Sequence, residues 1–463
     1  MTPQRRLQQS FGDGLIRDEI SDLWEPWMRH ADQVINDDSL VEIVQAALAK
    51  RCKKSKTRGR PGTPADVILR LLILKHVRSW SFQETAREVR ANLVYREFTR
   101  IGAGTVPDDK SISRFSREMG AETVEKLHQR LVSIAQEEKV IQGRKLRVDT
   151  TVVETNIHYP TDSTLLNDGV RVLTRVMKKV SEVAGAVTTR LRDRTRSVKR
   201  RILEIARASR DKSEKGQQKL KAAYRKLVDV SSRVVGQAKR FSAELANKRR
   251  SVLRRAKKQL DEMIPRVQQV LRQTRQRVLD GDTRAEGKIV SVFEPETEVI
   301  RKGKAGKPTE FGKLVKIQEA ENQIVTHYAV YPRRPSDSEL LTPTIEKHIE
   351  QFGHAPHMVA ADAGFFSGAN ESQAAKVGVK RVAVPSQSTK SAARKQTQKK
   401  RWFKKAQAWR TGCEGRISVL KRRHGMNRSR YKGADGMRRF VCLAVLADNV
   451  TNIGCALAAA DKS

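Results

Sequence analysis

Residues 145–153 have the sequence KLRVDTTVV, and five of these nine residues are valine or threonine. β-Branched residues favour strands because their side chains fit a pleated, half-buried surface. The stretch therefore predicts a strand with Asp149 near its centre. An aspartate inside a sheet is costly to bury unless it pairs with a cation or binds a metal. On an edge strand it would simply face water, so Asp149 alone leaves both interpretations open.

Further strand patterns appear only much later in the chain. They are predicted at 288–293, 313–318, 324–331, 357–361 and 379–384. The Gly- and Lys-rich stretch 301–307 is predicted to be a hairpin loop, and a helix is predicted to begin near Asn370. This order predicts an α/β domain that is divided into two pieces along the sequence.

A second aspartate lies at the end of one of these strands. Asp362 follows the apolar run MVAA and precedes AGFF. The small residues around it permit close approach of a ligand. Carboxylates at the ends of strands in α/β sheets often mark sites, although many only cap the next helix.

A third carboxylate lies in a helical pattern. On a helix, Arg410, Glu414 and Lys421 stand at −4, 0 and +7 and share one stripe. A carboxylate between two cations suits a site that binds metal and phosphate together, and an ordinary ion pair on a solvated face is the alternative. Gly412 and Gly415 weaken a helix but permit close backbone approach, which favours a functional role.

A long helical block, about 165–282, separates the two groups of strands. Residues 171–284 contain 34 Lys and Arg against 11 Asp and Glu, a net charge of +23. Val172, Val176 and Val180 keep a helical stripe, which predicts two or three long helices inserted into the α/β domain. The block is either a solvated coiled-coil spacer or a surface that follows DNA. The excess of cations, unbalanced by acids at i,i+4, favours the second.

The charge of the whole chain indicates a polyanionic partner. The 463 residues include 93 Lys and Arg against 52 Asp and Glu, for a formal net charge of +41. Nucleic acid is the first candidate, because each neutralised phosphate releases counterions. A ribosomal or histone-like protein would share this charge, so charge alone predicts nucleic-acid binding and nothing sharper.

The cysteines and the apolar segments indicate the compartment. No two of the four cysteines are close enough in sequence for a metal knuckle or a redox pair, which predicts reduced thiols in a reducing cytosol: Cys52, Cys413, Cys442 and Cys455. The N-terminal residues lack the apolar core of a secretory signal. The apolar run 440–460 is interrupted by Asp448 and Asn449, which favours a buried helix over a membrane span. We therefore expect a cytoplasmic protein.

The N-terminal region is predicted to be helical. After a basic run, RGRPG is predicted to form a flexible hinge that carries Arg58 and Arg60, both predicted to contact DNA. Ser81 is a predicted N-cap with Glu84 three residues on, as in a capping box. A third helix is predicted to begin near Asp109. Several short helices with basic surfaces favour a helix-turn-helix-like DNA-binding unit over a plain helical bundle.

Other candidate residues carry weaker signals. His158 follows the first strand and is interpreted as a loop residue or a DNA contact, and Glu154 is an alternative ligand near Asp149. His354 and His357 are predicted to be surface residues. The run RWFKK at 401–405 interleaves aromatic and cationic residues, which suits either base stacking or core packing.

Taken together, these motifs resemble bacterial insertion-sequence DDE transposases, in the group typified by insertion sequence five and its unclassified relatives. The resemblance rests on R-x3-E-x6-K at 410–421, VDTTVVETNIHYPTDSTLL at 148–166, AADAGFF at 360–366 and PDDKSISRF at 107–115. It covers about Arg58 to Ala460 apart from the helical insertion. In that group a tyrosine often precedes the arginine by three positions, and this chain has Gln407 there.

The resemblance implies an RNase H-like catalytic core whose catalytic and metal-binding residues are Asp149, Asp362 and Glu414. These carboxylates would hold two Mg²⁺ (or Mn²⁺) ions for nicking DNA and joining 3′-hydroxyl ends to target DNA. Arg410 and Lys421 would bind phosphates. The implied partners are double-stranded DNA, as transposon ends and target, and further copies of the chain in a homodimer or larger assembly. The protein would then associate with the nucleoid.

These inferences predict an α/β RNase H-like catalytic core with an all-α N-terminal DNA-binding region and a long basic helical insertion. The predicted parts are a helical segment at 1–57, a DNA-binding domain at 58–140, the core at 141–164 and 286–460, and the insertion at 165–285. Two alternatives remain open: an RNase H-like nuclease that never rejoins DNA, and a catalytically inactive basic DNA-binding protein.

Overall fold

The structure is a computed structural model, in which the protein divides into two compact units. They are residues 1–156 with 312–463, and residues 157–311. The residues described are 3–5, 14, 19–50, 62–183, 185–282, 284–301, 308–386 and 389–461. Arg58, Arg60 and Cys52 lie outside the described residues.

The first unit begins with six α-helices within the described residues, and the starts predicted at Ser81 and near Asp109 are confirmed. Their bounds are α1 Pro26–Ile35, α2 Asp38–Ala49, α3 Ala65–Val77, α4 Phe82–Ala91, α5 Leu93–Phe98 and α6 Asp109–Glu137. Ser81 and Glu84 form the expected capping box at α4, and Asp108 caps α6 by accepting from the backbone N–H of Ser111. The helix α6 is interrupted at Gly120, whose φ of 68° favours glycine.

In the described residues, seven strands form one mixed sheet. Their bounds are β1 Lys145–Thr155, β2 Glu298–Arg301, β3 Thr309–Glu319, β4 Val325–Val330, β5 Met358–Ala361, β6 Arg381–Ala383 and β7 Arg428–Ser429. The central order is β4-β3-β1-β5-β6, in which β3 is antiparallel to β4 and β1, whereas β5 and β6 run parallel to β1. The strand predicted around Asp149 is therefore central in the sheet.

Helices cover both faces of this sheet. The remaining helices of the first unit are α11 Leu341–Phe352, α12 Gly368–Lys376, α13 Ala392–Lys399, α14 Arg401–Arg422 and α15 Gly433–Ala460. Leu146 and Val148 pack with Leu341 and Ile345 of α11. Because side chains alternate along a strand, Asp149 faces the opposite side, where α14 packs against β1 and β5.

The helix α15 is the buried helix expected from the sequence. By length and composition it could cross a membrane, but 72% of its most apolar 18-residue window is buried in the protein. Its polar residues have partners there. Asp448 accepts from Arg416 at 2.7 Å, and the Asn449 side chain bonds both the N–H and the C=O of Val325 at 2.9 and 2.8 Å. These contacts explain why the run is interrupted by polar residues.

Within its described residues, the second unit contains four α-helices rather than the two or three expected. They are α7 Asp162–Ser181, α8 Thr195–Ala208, α9 Glu214–Glu244 and α10 Ser251–Thr274. Turns without proline separate them, and Ser213 caps α9 by accepting from the N–H of Gly216. Pro265 lies inside α10 without ending it. Proline and glycine positions therefore did not predict where the helices of this block end. The apolar stripes of the four helices meet in one core.

The strand predicted at 288–293 is wrong. These residues form no strand, and β2 lies further along. The side-chain amide of Gln273 bonds both the N–H and the C=O of Ile289 at 3.0 Å, and Arg266 donates to the carbonyl of Val292 at 3.0 Å. Side chains of α10 thus satisfy backbone groups that a strand would pair with a neighbour.

A close helix contact generates a stability prediction. A Cβ added at Gly454 of α15 would overlap the backbone carbonyl of Trp27 in α1. We expect Gly454→Ala to lower the free energy of unfolding by about 1–3 kcal/mol, because a backbone atom cannot move aside cheaply. Urea denaturation measures the change. Gly415→Ala is the matched control, since nothing lies within 4 Å of its added Cβ. Equal stability of the two variants would contradict this contact.

Candidate functional site

Two predicted site residues meet at the same end of neighbouring parallel strands. The pairing of β1 with β5 ends at Val148 and Ala361. Continued by one residue, the same register sets Asp149 beside Asp362, on strands about 4.8 Å apart. Asp362 leaves the sheet there and accepts a hydrogen bond from the N–H of Ala363 at 2.7 Å. The tertiary structure therefore brings together two carboxylates that are 213 positions apart in the sequence.

Arg410 connects Asp149 with Glu414. Its Nη1 lies 3.7 Å from Oδ2 of Asp149, and its Nη2 lies 2.9 Å from Oε1 of Glu414. The Arg410 side chain is 14% exposed, whereas that of Glu414 is 56% exposed. This is more than an i,i+4 pair on a solvated face, because the guanidinium also reaches the sheet.

Burial disfavours the ionised form of Asp149 more than that of the other carboxylates of this group. Burial raises the pKa of Asp149 above its ordinary value of 3.8, and the charges of Asp362 and Glu414 raise it further. The N–H of Thr150 and the guanidinium of Arg410 act in the opposite direction. A partly buried carboxylate with neighbouring negative charges is stabilised by additional positive charge, which is the electrostatic character of a cation or phosphoryl-transfer site.

A buried arginine holds α14 against the sheet. Arg147 stacks on the Trp409 ring at 4.7 Å from its centroid, donates to the Trp409 carbonyl at 2.5 Å and pairs with Glu319. A Cβ at Gly412 would overlap the Arg147 guanidinium. The close approach expected at Gly412 is thus an approach of β1 to α14, which sets the position of Arg410 and Glu414.

Gln407 has a role that the sequence did not reveal. Its side-chain amide donates to the carbonyl of Ala361 at 3.3 Å and also to that of Ala383. It therefore ties α14 to the ends of β5 and β6, next to Asp362. This is the position at which the resembling group often has tyrosine, so a different side chain anchors the helix here.

Asp337 and Asn370 were also missed. Asp337 accepts from the Thr150 hydroxyl at 3.2 Å. Asn370 donates to the carbonyls of Ser338 and Phe365 at 2.6 and 3.0 Å. Both brace the turns beside the two aspartates from outside the site. The available signal was the acidic stretch SDSEL directly after the basic RRP at 333–340.

Other candidates are placed away from this group. Glu154 is buried and pairs with Arg428 at 3.1 Å, and His158 pairs with Asp168 at 3.5 Å. His354 and His357 are exposed, as expected. In the run 401–405, Phe403 packs in the core, and Trp402 lies under Arg381 at 5.5 Å. Lys421 lies in the last turn of α14.

The metal set predicted from the resemblance is not assembled. Within the described residues, no three His, Cys, Asp or Glu side chains are grouped so that they could hold a metal ion. Glu414 bonds Arg410 instead, so sharing an ion with Asp149 requires that bond to open. The roles of Asp149, Asp362 and Glu414 remain predictions.

Comparisons with known families match two parts of the chain. A model described as Transposase domain (DUF772) matches residues 25–118, and one described as Transposase DDE domain matches residues 370–453. Together these matches support a DDE-type transposase. No curated protein and no solved structure matches the chain.

The family matches carry four coarser conclusions. A mixed α/β sheet with many helices is consistent with a DDE transposase domain, and the match supports an enzyme that cleaves or transfers DNA. The family implies DNA partners, and its members normally use divalent metals. The DDE match includes Glu414 and α15 but begins after Asp149 and Asp362. Sequence motif and sheet register, rather than the family match, connect those two aspartates to the site.

The buried charge of Asp149 generates a pH-dependent prediction. Because its pKa is raised in the folded state, ionisation opposes folding as pH rises above about 3.8. We expect Asp149→Asn to be more stable than wild type at neutral pH, with the difference shrinking as pH falls through the raised pKa. Denaturant unfolding at a series of pH values from about 4 to about 8 measures this difference in stability.

Asp362→Asn is the control, since Asp362 is exposed and its replacement should change stability little. The prediction is contradicted if Asp149→Asn is no more stable than wild type at neutral pH, or if its extra stability increases as the pH falls.

Proposed function

We propose that this chain is an insertion-sequence transposase of the group typified by insertion sequence five, which binds transposon ends, nicks DNA and joins 3′-hydroxyl ends to target DNA. The observation that carries the proposal is the register that sets Asp149 beside Asp362, with Arg410 and Glu414 across from them. The transposase matches on either side of these aspartates support it.

The sheet supports an RNase H-like core. The central strand β1 carries the first aspartate. On one side β3 runs antiparallel to β1 and β4 runs antiparallel to β3, and on the other side β5 and β6 run parallel to β1. Asp362 follows β5, which is the fourth strand of the first unit when β2 of the second unit is left out. The resemblance implies the same position, because in that family the second aspartate follows the fourth strand of the core.

The donor chemistry fits magnesium. Asp149, Asp362 and Glu414 would offer only hard carboxylate oxygens, which Mg²⁺ prefers. Asp149 in particular is partly buried, and its Arg410 partner is 3.7 Å away. Bound there, two divalent ions would supply activation of the attacking oxygen and stabilisation of the leaving one.

The protein's own groups would bind and orient DNA. Arg410, released from Glu414, would present two nitrogens to a phosphate, and Lys421 would add a point charge. The packing of α14 on β1 through Arg147 would keep these cations beside the aspartates. Arg58 and Arg60 are proposed to contact the transposon end. Each chain carries one such site, so we expect at least a dimer on two paired ends.

The carboxylates can be tested by substitutions that preserve shape. We expect Asp149→Asn, Asp362→Asn and Glu414→Gln each to lower cleavage by at least about 1,000-fold with Mg²⁺ while end binding persists, because each removes a metal-binding charge. Cleavage and strand transfer of a labelled end duplex measure this, and chelation should abolish both activities in wild type.

Glu154→Gln is the matched control, because Glu154 is on the same strand but pairs with Arg428. It should retain cleavage. Near-normal cleavage by any of the three site variants would remove that residue from the site. Cleavage without joining would favour the nuclease alternative, and binding without metal-dependent cleavage would favour an inactive DNA-binding protein. Light scattering of the protein bound to end DNA measures how many chains bind each pair of transposon ends.

The basic second unit is proposed to follow DNA. Its helix α9 exposes the cations Lys221, Arg225, Arg233 and Lys239 on a folded surface. We expect replacing all four with glutamine to weaken end binding and to reduce the slope of log affinity against log salt by up to about 3–4, since each lost phosphate contact lowers it by about 0.9. Fluorescence anisotropy over a salt series measures the slope.

Replacing Gln217 and Gln218 with alanine alters the same exposed helix without changing charge and should leave the slope unchanged. An unchanged slope in the four-cation variant would make the block a spacer or an oligomerisation arm.

A further inference from the structure

The segment between the second and third site carboxylates contains cations but no acids. Residues 372–413 include twelve Lys and Arg and no Asp or Glu, although the chain as a whole has 52 acids. The bounding acids are Glu371 and Glu414. Such a segment repels cations and attracts polyanions over its whole length, and it leads directly into the site helix α14.

Six of these cations lie together on α13 and the start of α14. All are exposed, and none forms an ion pair within the described part of the chain: Lys395, Lys399, Lys400, Arg401, Lys404 and Lys405. We call this set the α13–α14 cationic face. Arg394, in contrast, points inward, where it pairs with Glu371 and donates to the Val384 carbonyl at 2.6 Å. The fold therefore distinguishes a cation that anchors α13 from cations left for solvent.

The helix α14 carries this face towards the site. Lys404 and Arg422 are 18 residues apart, which is five helical turns, so both stand on one side about 27 Å apart. Between them on that side, Thr411 and Gly415 are small and exposed. Glu414 adjoins Gly415, about 15 Å along the axis from Lys404. A rod-like polyanion can lie against this side without meeting a bulky side chain.

The position of the face is fixed relative to the aspartates. Gln407 bonds the carbonyl of Ala361 at 3.3 Å, and Arg410 reaches Asp149 at 3.7 Å, both from the side of α14 that adjoins this face. Gln398 bonds the backbone N–H of Ser386 at 2.8 Å and so holds α13 to the chain after β6. The cations thus stand at a set distance from the carboxylates.

We propose that the α13–α14 cationic face binds the phosphate backbone of the DNA that flanks the cleaved bond. With Lys404 about 15 Å from Glu414, and one phosphate per 3.4 Å of axis in each strand, the contacted phosphates lie about four base pairs from the reacting one. The face holds the duplex in register while the carboxylates act on it. This inference rests on the proposed function, because it takes the reacting phosphate to lie at Asp149, Asp362 and Glu414.

The test compares two charge-matched double variants of the full chain. Lys404→Gln/Lys405→Gln removes two cations of the face, and Lys50→Gln/Lys432→Gln removes two exposed cations of the first unit that lie outside the predicted DNA-binding domain. We expect the first variant to bind an end duplex on the order of tenfold more weakly, with a salt slope lower by about 2. The control variant should keep nearly the wild-type affinity and salt slope, because its two lysines lie off the proposed path.

A neutral phosphate locates the contact. A duplex with a methylphosphonate about four base pairs from the cleaved bond should bind wild type more weakly but should not weaken the Lys404/Lys405 variant further. Equal behaviour of the two double variants, or additive effects of the methylphosphonate and the substitutions, would overturn the proposed path.

The two proposals can fail separately. If wild type binds DNA but never cleaves it, the transposase proposal fails, and the binding arm still tests the face. If wild type cleaves and the Lys404/Lys405 variant behaves as the control does, only the path along α13 and α14 fails.

Discussion

The candidate site depends on one buried guanidinium. Arg147 pairs with Glu319, its register partner on β3, and also stacks on Trp409 and bonds its carbonyl. One side chain thus joins two strands to α14 only two residues before Asp149. Both charges are almost fully buried, and losing either would leave an uncompensated charge inside the protein. Gly412 allows the approach, because any side chain there would displace the guanidinium.

This anchor explains how three distant segments become one electrostatic unit. Parallel pairing sets Asp149 and Asp362 side by side, and the anchored helix presents Arg410 to both Asp149 and Glu414. Negative charge is concentrated where burial already disfavours it, so the pKa of Asp149 is raised. The same helix carries Lys404 and Lys405 on its exposed side, where neither forms an ion pair with the described residues. The cluster of carboxylates attracts cations, and the neighbouring cations attract phosphates. This complementary arrangement is expected for metal-assisted chemistry on DNA.

Much of the local structure could be predicted, and the failures have definite causes. The strand around Asp149, the capping box at Ser81 and the buried helix α15 are confirmed, because each depends on short-range pattern or on composition. The strand expected at 288–293 fails because Gln273, from a distant helix, satisfies the backbone there. Asp337 and Gln407 were missed because their partners are backbone and hydroxyl groups far away in sequence, and such contacts leave no periodic signal.

The sequence by itself determined the types of element, the basic character of the chain and the three carboxylates worth testing, since side-chain spacing and charge are properties of the chain. Only the tertiary structure decided that Asp149 and Asp362 adjoin, that Arg410 bridges Asp149 and Glu414, and which cations remain exposed. The physical reason is that register and burial are set by the simultaneous packing of segments hundreds of residues apart. A carboxylate's neighbours, and with them its pKa, exist only once those segments have met.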